Sequence, residues 1–526
     1  MRFSCHAGWR GLLGIAASLL AAIPAVAQPV DTDYPPGTLD LPKVVRMTLE
    51  RDPNIALARE NVRQNEGALR QSSGKFDNIF SLGQSVGRTS TTYVSPDPTL
   101  PKYYSTDTTQ TSLSSSWLLR SGQTLATQVG LTRTAYEEWL GLGVQNTGIV
   151  SFAITQPLLR GRRGAGVTAA ERSAEMTLES TAWALRHTIS ERIRSAAVAF
   201  FNLVAAVEDL GTRTSQEANA LELLEAMRRL GEAGERPRSD AVPLEADFHE
   251  RATDRIRAAQ GVAKARYDLG IAIGIPYEEI RDLPLPGAAL RKFDLATIPA
   301  AAETGRYVKE ALRRRLDLKA RAASRQAAEA LLDGSRDAMK PRADVALSGG
   351  YQGFGSSWGF SNYFAPLKPS GAPLTFAASL SVEIPTTNAA AKGAFVAQEA
   401  VLRQSRIQES DLQSLVGARV GASLAELRGY ALQYGSNVKA LEAHRLAEAN
   451  EQRRVKGGLA TVSSLVQLRN YTVSATSAEL SSRLNVVRSL IGLRFEMGAI
   501  LTGAEGFESV DLERIVSVPP VGEGGK

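Results

Sequence analysis

Toward the C-terminal end of the chain, the apolar positions fall into one long helical period. Leu412, Val416, Val420, Leu424, Leu427, Ala431, Tyr434, Val438 and Leu441 recur in steps of three or four, which marks one face of an α-helix. No proline occurs between Pro385 and Pro519, so nothing there clashes with the preceding turn or removes a ladder donor. Lys456-Gly457-Gly458 breaks the run, since glycine readily closes a helix in the left-handed conformation. A second run extends from Thr461 to about Ile500. At 1.5 Å per residue, the arm from Ala391 to Val455 reaches about 95 Å, a length suited to a tube wall or a rod. The first half repeats the pattern. Leu178, Leu185, Ile189, Ile193, Phe200, Val207 and Leu210 lie at heptad-compatible spacings in a proline-free run from Val167 to Gly234. Gly231 to Gly234 breaks that run, and Ser239-Asp240 offers a cap for a return helix ending near Gly274.

Before each long hairpin the period drops to two. Phe80 to Val94 alternates loosely and stops at Ser95-Pro96-Asp97-Pro98. Leu113, Ser115, Trp117 and Leu119 alternate, as do Leu125, Thr127, Val129 and Leu131; Arg120-Ser121-Gly122-Gln123 separates them like a hairpin turn. Val150, Phe152 and Ile154 lead to Gln156-Pro157. In the second half the strands are Val345 to Tyr351 and Leu374, Phe376, Ala378, Leu380, Val382 and Ile384, closed by Pro385. Alternation alone fits a soluble antiparallel sheet as well as strands with one face to lipid and one to water.

The chain is a tandem duplication. Leu39 to Gln71 is helical with a break at Asp52-Pro53, where Pro53 suits the first position of a second helix. Thr48 to Ile55 aligns with Ala311 to Leu318 at an offset of 263, as do Leu69 with Leu332 and Gly87 with Gly350. The expected divisions are a signal peptide at 1–27, and a first repeat at 28–275 with strands over 79–157 and a helical hairpin over 167–274. A proline-rich connector at 276–306 follows. The second repeat spans 307–502, with strands over 343–385 and a hairpin over 391–500, and a flexible tail covers 503–526.

Residues 1–27 have the positive start (Arg2, Arg10), short apolar core and Ala25-Val26-Ala27 site of a secretory signal. The one cysteine, Cys5, leaves with it, so the mature chain has no disulfide and depends on packing or assembly. Its removal lowers the formal charge from +6 to +4, too mild to suggest nucleic acid. One chain supplies about four to six strands, whereas closed membrane barrels need about eight or more, and an open edge is not viable in lipid. Strands in a membrane must therefore be shared between chains, with the long hairpins projecting into an aqueous compartment.

With that, the mature chain resembles the TolC-like outer-membrane efflux and secretion channels. The matching features are the duplicated start, Gln156-Pro157-Leu158-Leu159-Arg160-Gly161, Ser381 to Pro385, Gly234 to Asp240 with Leu244-Glu245-Ala246, and Gly457 to Leu465. Their order over about 470 residues carries the resemblance, no single motif. It implies an α+β outer-membrane protein: a homotrimer with four strands per chain in a twelve-stranded shared β-barrel, continued by a periplasmic α-helical tunnel. The implied partners are a periplasmic adaptor and an inner-membrane pump or ABC transporter, which energises passive export of drugs, small molecules or proteins. It implies no cofactor. The Leu113–Leu131 hairpin is additional to that pattern and is expected as a barrel element or an extracellular extension.

The candidate adaptor-contact or gate residues are at the tips: Gly234, Arg236, Arg238 and Asp240 in one, Arg453, Arg454, Lys456, Gly457, Gly458, Ser463 and Val466 in the other. Ser463 and Val466 stand where well-studied members carry acidic residues. The tips are instead basic, which reads either as a mouth favouring anionic cargo or an acidic partner, or as solvated helix ends. His187, His249 and His444 are isolated and lack ligand spacing. Glu245 and Asp247 cannot face each other on one helix side, so they are no acid–base pair. Gly349 to Gly355 lacks the lysine of a phosphate loop and leads into Trp358, Phe360, Tyr363 and Phe364, which suit an outer loop or membrane-interface aromatic belt. No catalytic group emerges. The competing class is a secreted coiled-coil structural or adhesive protein, which leaves the recurring period-two strands unexplained.

Overall fold

The computed structural model describes residues 39–92, 99, 103–137, 140–287, 289–293, 298–368, 373–501 and 515–520. The expected signal peptide and the Ser95–Pro98 break lie outside the described residues.

Helices α1 (Leu41–Arg51) and α2 (Pro53–Ser73) are followed by four strands: β1 (Ile79–Thr92), β2 (Tyr103–Leu118), β3 (Thr124–Tyr136) and β4 (Val144–Pro157). Then come α3 (Ala169–Glu232), α4 (Ala241–Ile273) and the single turn α5 (Tyr277–Ile280). The second half has α6 (Thr304–Arg314), α7 (Leu316–Ala338), β5 (Arg342–Gly355), the short α8 (Phe360–Phe364), β6 (Leu374–Glu383), α9 (Ala389–Lys456) and α10 (Val462–Glu496). The 263-residue offset carries α1 onto α6, the start of α2 onto that of α7, and β1 onto β5. No helix of the described residues is long and apolar enough to cross a membrane.

α3 and α9 are unbroken over 64 and 68 residues, about 96 and 102 Å. Each is flanked along its length by two shorter helices in succession. On α3 the strand-proximal half packs α2 and α7, and the tip half packs α4 and α10; α9 packs α7 and then α10. Away from α1 and α6, which pack on α3 and α9, each level is thus four helices wide. The stripe read from the sequence is the core here: Val416, Val420, Leu424 and Leu427 are fully buried on α9, packed with Val486, Leu490 and Leu493 of α10 and Tyr307 of α6. Leu185, Ile189, Ile193 and Phe200 do the same on α3.

The flanking helices abut end to end. Asp52 caps α2 by accepting from the Asn54 and Ile55 amides, and its buried carboxylate pairs with Arg192 of α3 at 2.6 Å. Gly274, left-handed at φ 85°, ends α4 so tightly against this turn that a Cβ there would lie 2.6 Å from Pro53 Cδ. In the second half the charges are exchanged. Arg315, 2% exposed, reaches Asp317 at 2.7 Å and Glu496 at the end of α10. Burial opposes ionisation of Asp317, but the Arg315 guanidinium outweighs it and holds the carboxyl below its usual range. The tail expected to be flexible over 503–526 is docked where it is described. Ile515 is buried, Val516 and Val518 pack on the α9–α10 core, and Arg494 donates to the Ser517 carbonyl at 2.8 Å. Apolar side chains and a buried guanidinium outweigh the entropy of the free end.

The strands form one antiparallel six-stranded sheet in the order β1 to β6. The four strands per chain implied by the resemblance are therefore corrected to six among the described residues. The hairpin formed by β2 and β3 lies inside the sheet, paired to β1 over 14 residues and to β4 over 12, and is no extracellular extension. Paired residues share a face, so the register defines two surfaces. Leu82, Leu113, Val129, Val150, Tyr351 and Leu374 form one row; the adjacent row on the other face is Ser81, Ser114, Gln128, Ser151, Gly350 and Thr375. Gly349 to Gly355 belongs to β5 itself, and the aromatics from Trp358 to Phe364 lie in the connection between β5 and β6. Gly349 lies under the Phe152 and Phe376 rings. Among the aromatics beyond it, Trp358 and Phe360 are exposed while Tyr363 is buried and hydrogen-bonded to Thr111 and the Leu131 carbonyl.

Gly274→Ala places a methyl group in the junction and forces a left-handed alanine, which together cost about 2–4 kcal/mol. Gly234→Ala, also left-handed but with open space around it, costs about 1–2 kcal/mol. The thermal midpoint of Gly274→Ala should fall further; equal midpoints would show that the junction is not tightly packed.

Candidate functional site at the hairpin tips

Both hairpins turn by the same device. α3 ends with the Glu235 amide bonded to the Leu230 carbonyl at 3.0 Å and the Gly234 amide to the Gly231 carbonyl; Gly234 has φ 77°. α9 ends with Leu459 to Arg454 at 2.8 Å and Gly458 to Val455 at 3.1 Å, with Gly458 at φ 71°. These are Schellman closures, whose left-handed position glycine occupies without a Cβ penalty. Gly457 precedes it with an ordinary negative φ. Thr461 caps α10 through the Ser464 amide. Asp240 makes no such cap bond; α4 starts instead from a single 3-10 turn over Arg238–Asp240.

The structure brings the two tips together. Arg236 donates from Nη2 to the Val455 carbonyl at 2.7 Å, bonding one tip to the other. Leu224, Met227 and Leu244 pack with Val455, Val462 and Leu465 in a joint apolar cluster. Val466 leans on that cluster and is half-buried, whereas Ser463 faces solvent. Arg454 pairs with the buried Glu451 at 3.1 Å, and Arg453 bonds the Asn450 side chain. Arg238, Arg453 and Lys456 are exposed on the tip surface. The basic residues thus divide into those fastening the tips and those presented to solvent.

A buried charge network behind the tips was not anticipated from the sequence. Asp247, 2% exposed, accepts from Arg251 Nε and Nη2 at 3.1 and 2.8 Å. Arg251 continues to the Asn470 side chain of α10. Arg469 stands 3.9 Å from Asp247 and 3.4 Å from Glu448 of α9. Side chains of α4 and α10 therefore meet on one carboxylate, and Arg469 links it to α9 through Glu448. The signal available was the Asp247/Arg251 spacing of four on one helix face; burial and the contacts from α9 and α10 have no local signature. Glu245 points away and pairs with Arg228, so Glu245 and Asp247 form no pair. His187 lies far along α3 in a groove with Asp317, Gln408 and Asp411, and burial lowers its pKa.

Asp247→Ala leaves two guanidinium groups without their buried counter-charge, a loss of about 3 kcal/mol. Amide hydrogen exchange should accelerate in 241–251 and 462–473, while Glu245→Ala, at an exposed pair, changes stability by about 0.5 kcal/mol or less. Indistinguishable exchange in the two variants would show that Asp247 does not hold the tips.

No sequence-family model matches this chain, and no curated protein sequence matches it. Solved structures do. CusC, described as forming a transmembrane channel, superposes with TM-score 0.63 at 13% identity, over 90% of this chain and 97% of its own. The CmeC outer membrane channel of Campylobacter jejuni gives 0.60 at 13% identity over 87% and 85%. The open state of the MtrE outer membrane channel of Neisseria gonorrhoeae gives 0.58 at 18% identity over 87% and 88%. At these identities the similarity is one of fold, and nearly the whole of this chain shares the fold of the outer-membrane channels.

Proposed function

We propose that this protein is the outer-membrane channel of an export system, a passive duct energised by an inner-membrane pump through a periplasmic adaptor. The observation that carries the reading is the sheet. One face presents apolar rows outward, the other is polar, and β1 and β6 lie exposed along their whole length. Phe80, Leu82, Leu374 and Phe376 at those edges are 70–76% exposed. In water such a surface is an aggregation liability. In a bilayer the apolar face is solvated by lipid, and pairing edges between copies satisfies every backbone donor.

A homotrimer that closes a barrel this way directs α3, α4, α9 and α10 into the periplasm as a tube, with the tips at the adaptor. The fold shared with CusC, CmeC and MtrE supports the same reading. Cargo enters at the tips, where Arg238, Arg453 and Lys456 give the mouth a positive potential that favours anions or an acidic adaptor surface. A rod-like adhesin accounts for the helices but gives the two-faced sheet no role. The duct transports without catalysis.

Extracted from outer membranes in detergent, the mature protein should have the native mass of three chains. A soluble periplasmic monomer or dimer would overturn the channel reading. In planar bilayers, the open pore should prefer anions, and replacing Arg238, Arg453 and Lys456 by glutamine should weaken that preference; clear cation selectivity in the native protein would remove the role given to the basic tips.

A further inference from the structure

We propose that the barrel has eighteen strands, six from each of three copies, and so has a bore matching the helical tube beneath it. The proposal rests on the trimeric channel reading and concerns how that channel is built. Its occupant for each open edge is a second copy of this chain, β1 of one pairing with β6 of the next. Six is an even number, so β1 and β6 run in opposite directions. Copies related by rotation therefore meet antiparallel, as every other pair in the sheet does.

The additional hairpin is built into the base of the sheet. Its turn, between β2 and β3, lies at the end from which the helices leave. Arg120 forks onto Glu171 in the first turn of α3, with Nη2 at 2.6 Å, and its guanidinium covers the Phe76 ring at 4.8 Å. Trp117 donates to the Phe76 carbonyl at 2.9 Å, and Gln123 to the Gln156 side chain at 2.7 Å. α3 starts so close to the turn that a Cβ on Gly164 would overlap the Arg120 carbonyl, at 2.1 Å. A hairpin laid over a finished four-stranded unit would leave β1 to pair with β4. Here β2 and β3 separate them completely; the Leu82 row continues through Leu113 and Val129 to Val150, while the Phe80 row passes through Ser115 and Thr127 to Phe152.

Circumference supplies an independent argument. Three chains, each four helices wide, make a tube of twelve helices, whose spacing of roughly 8–10 Å gives a perimeter of about 95–120 Å. Eighteen strands about 4.8 Å apart, tilted by about 40°, span about 110 Å. Twelve strands span only about 75 Å on the same basis, which requires the wall to taper sharply where α3 and α9 leave the sheet. The eighteen-stranded ring joins the tube at equal width, about half again the diameter of a twelve-stranded one.

Single cysteines placed in the otherwise cysteine-free mature chain test this in purified trimers in liposomes. Ser114→Cys and Gln128→Cys face the lumen, while Leu113→Cys and Val129→Cys face lipid. A membrane-impermeant hydrophilic maleimide should label the first pair several-fold faster than the second. Equal labelling of all four in a trimer of correct mass would show a hairpin outside the wall and overturn the eighteen-stranded barrel while leaving the channel intact. Failure to recover any membrane trimer would instead overturn the channel reading beneath it.

Discussion

Everything in this fold leans on two helices that never break. α3 and α9 keep their backbone ladders unbroken for 64 and 68 residues, which demands proline-free sequence and an apolar stripe that stays on one side. A helix of that length has little stability of its own in water; it persists because shorter helices cover its stripe from end to end. α2 and α4 together cover α3, while α7 and α10 fill the space between α3 and α9. The requirement then passes to the joints, since two short helices meeting end to end must satisfy or exclude the groups at their termini.

The two halves solve that problem with the same backbone and different charges. At the first joint a buried carboxylate, Asp52, caps α2 and is neutralised by Arg192 from the spine. At the second a buried guanidinium, Arg315, gathers Asp317 and Glu496. Gly274 and Gly498 end the incoming helices, and each lies against the start of the next. Duplication conserved the geometry while the polarity of the joint was free to change, because a buried ion pair constrains the sum of charges rather than which helix carries each sign.

At the opposite end the same economy produces the tips. Schellman turns bring four helices to two adjacent corners, Arg236 bonds one corner to the other, and Asp247 holds the shafts behind them. The tips are thus fastened by a few polar bonds around a small apolar cluster, whereas the middle of the shafts is packed by continuous aliphatic layers. That distribution makes the tips the end most easily parted: polar bonds can be exchanged for water or a partner at modest net cost, and buried aliphatic contacts cannot.

The sequence by itself determined the long helices, their turning points, the strands and the duplication, because each rests on local periodicity or on glycine and proline chemistry. The stripe on α9 is buried as its spacing requires, and Gly234 and Gly458 close their helices as glycine should. What lies beside what was decided only in three dimensions. Period two marks Leu113 and Val129 as strand residues with one apolar face, yet it is silent on whether their hairpin enters a sheet, which depends on pairing partners more than ten residues away. The Asp247/Arg251 spacing is local, but the partners that complete the network, Asn470 and Arg469, come from α10. The edges show the same limit: β1 and β6 have the alternation of paired strands, and backbone hydrogen bonds carry no sequence label to say whose backbone completes them.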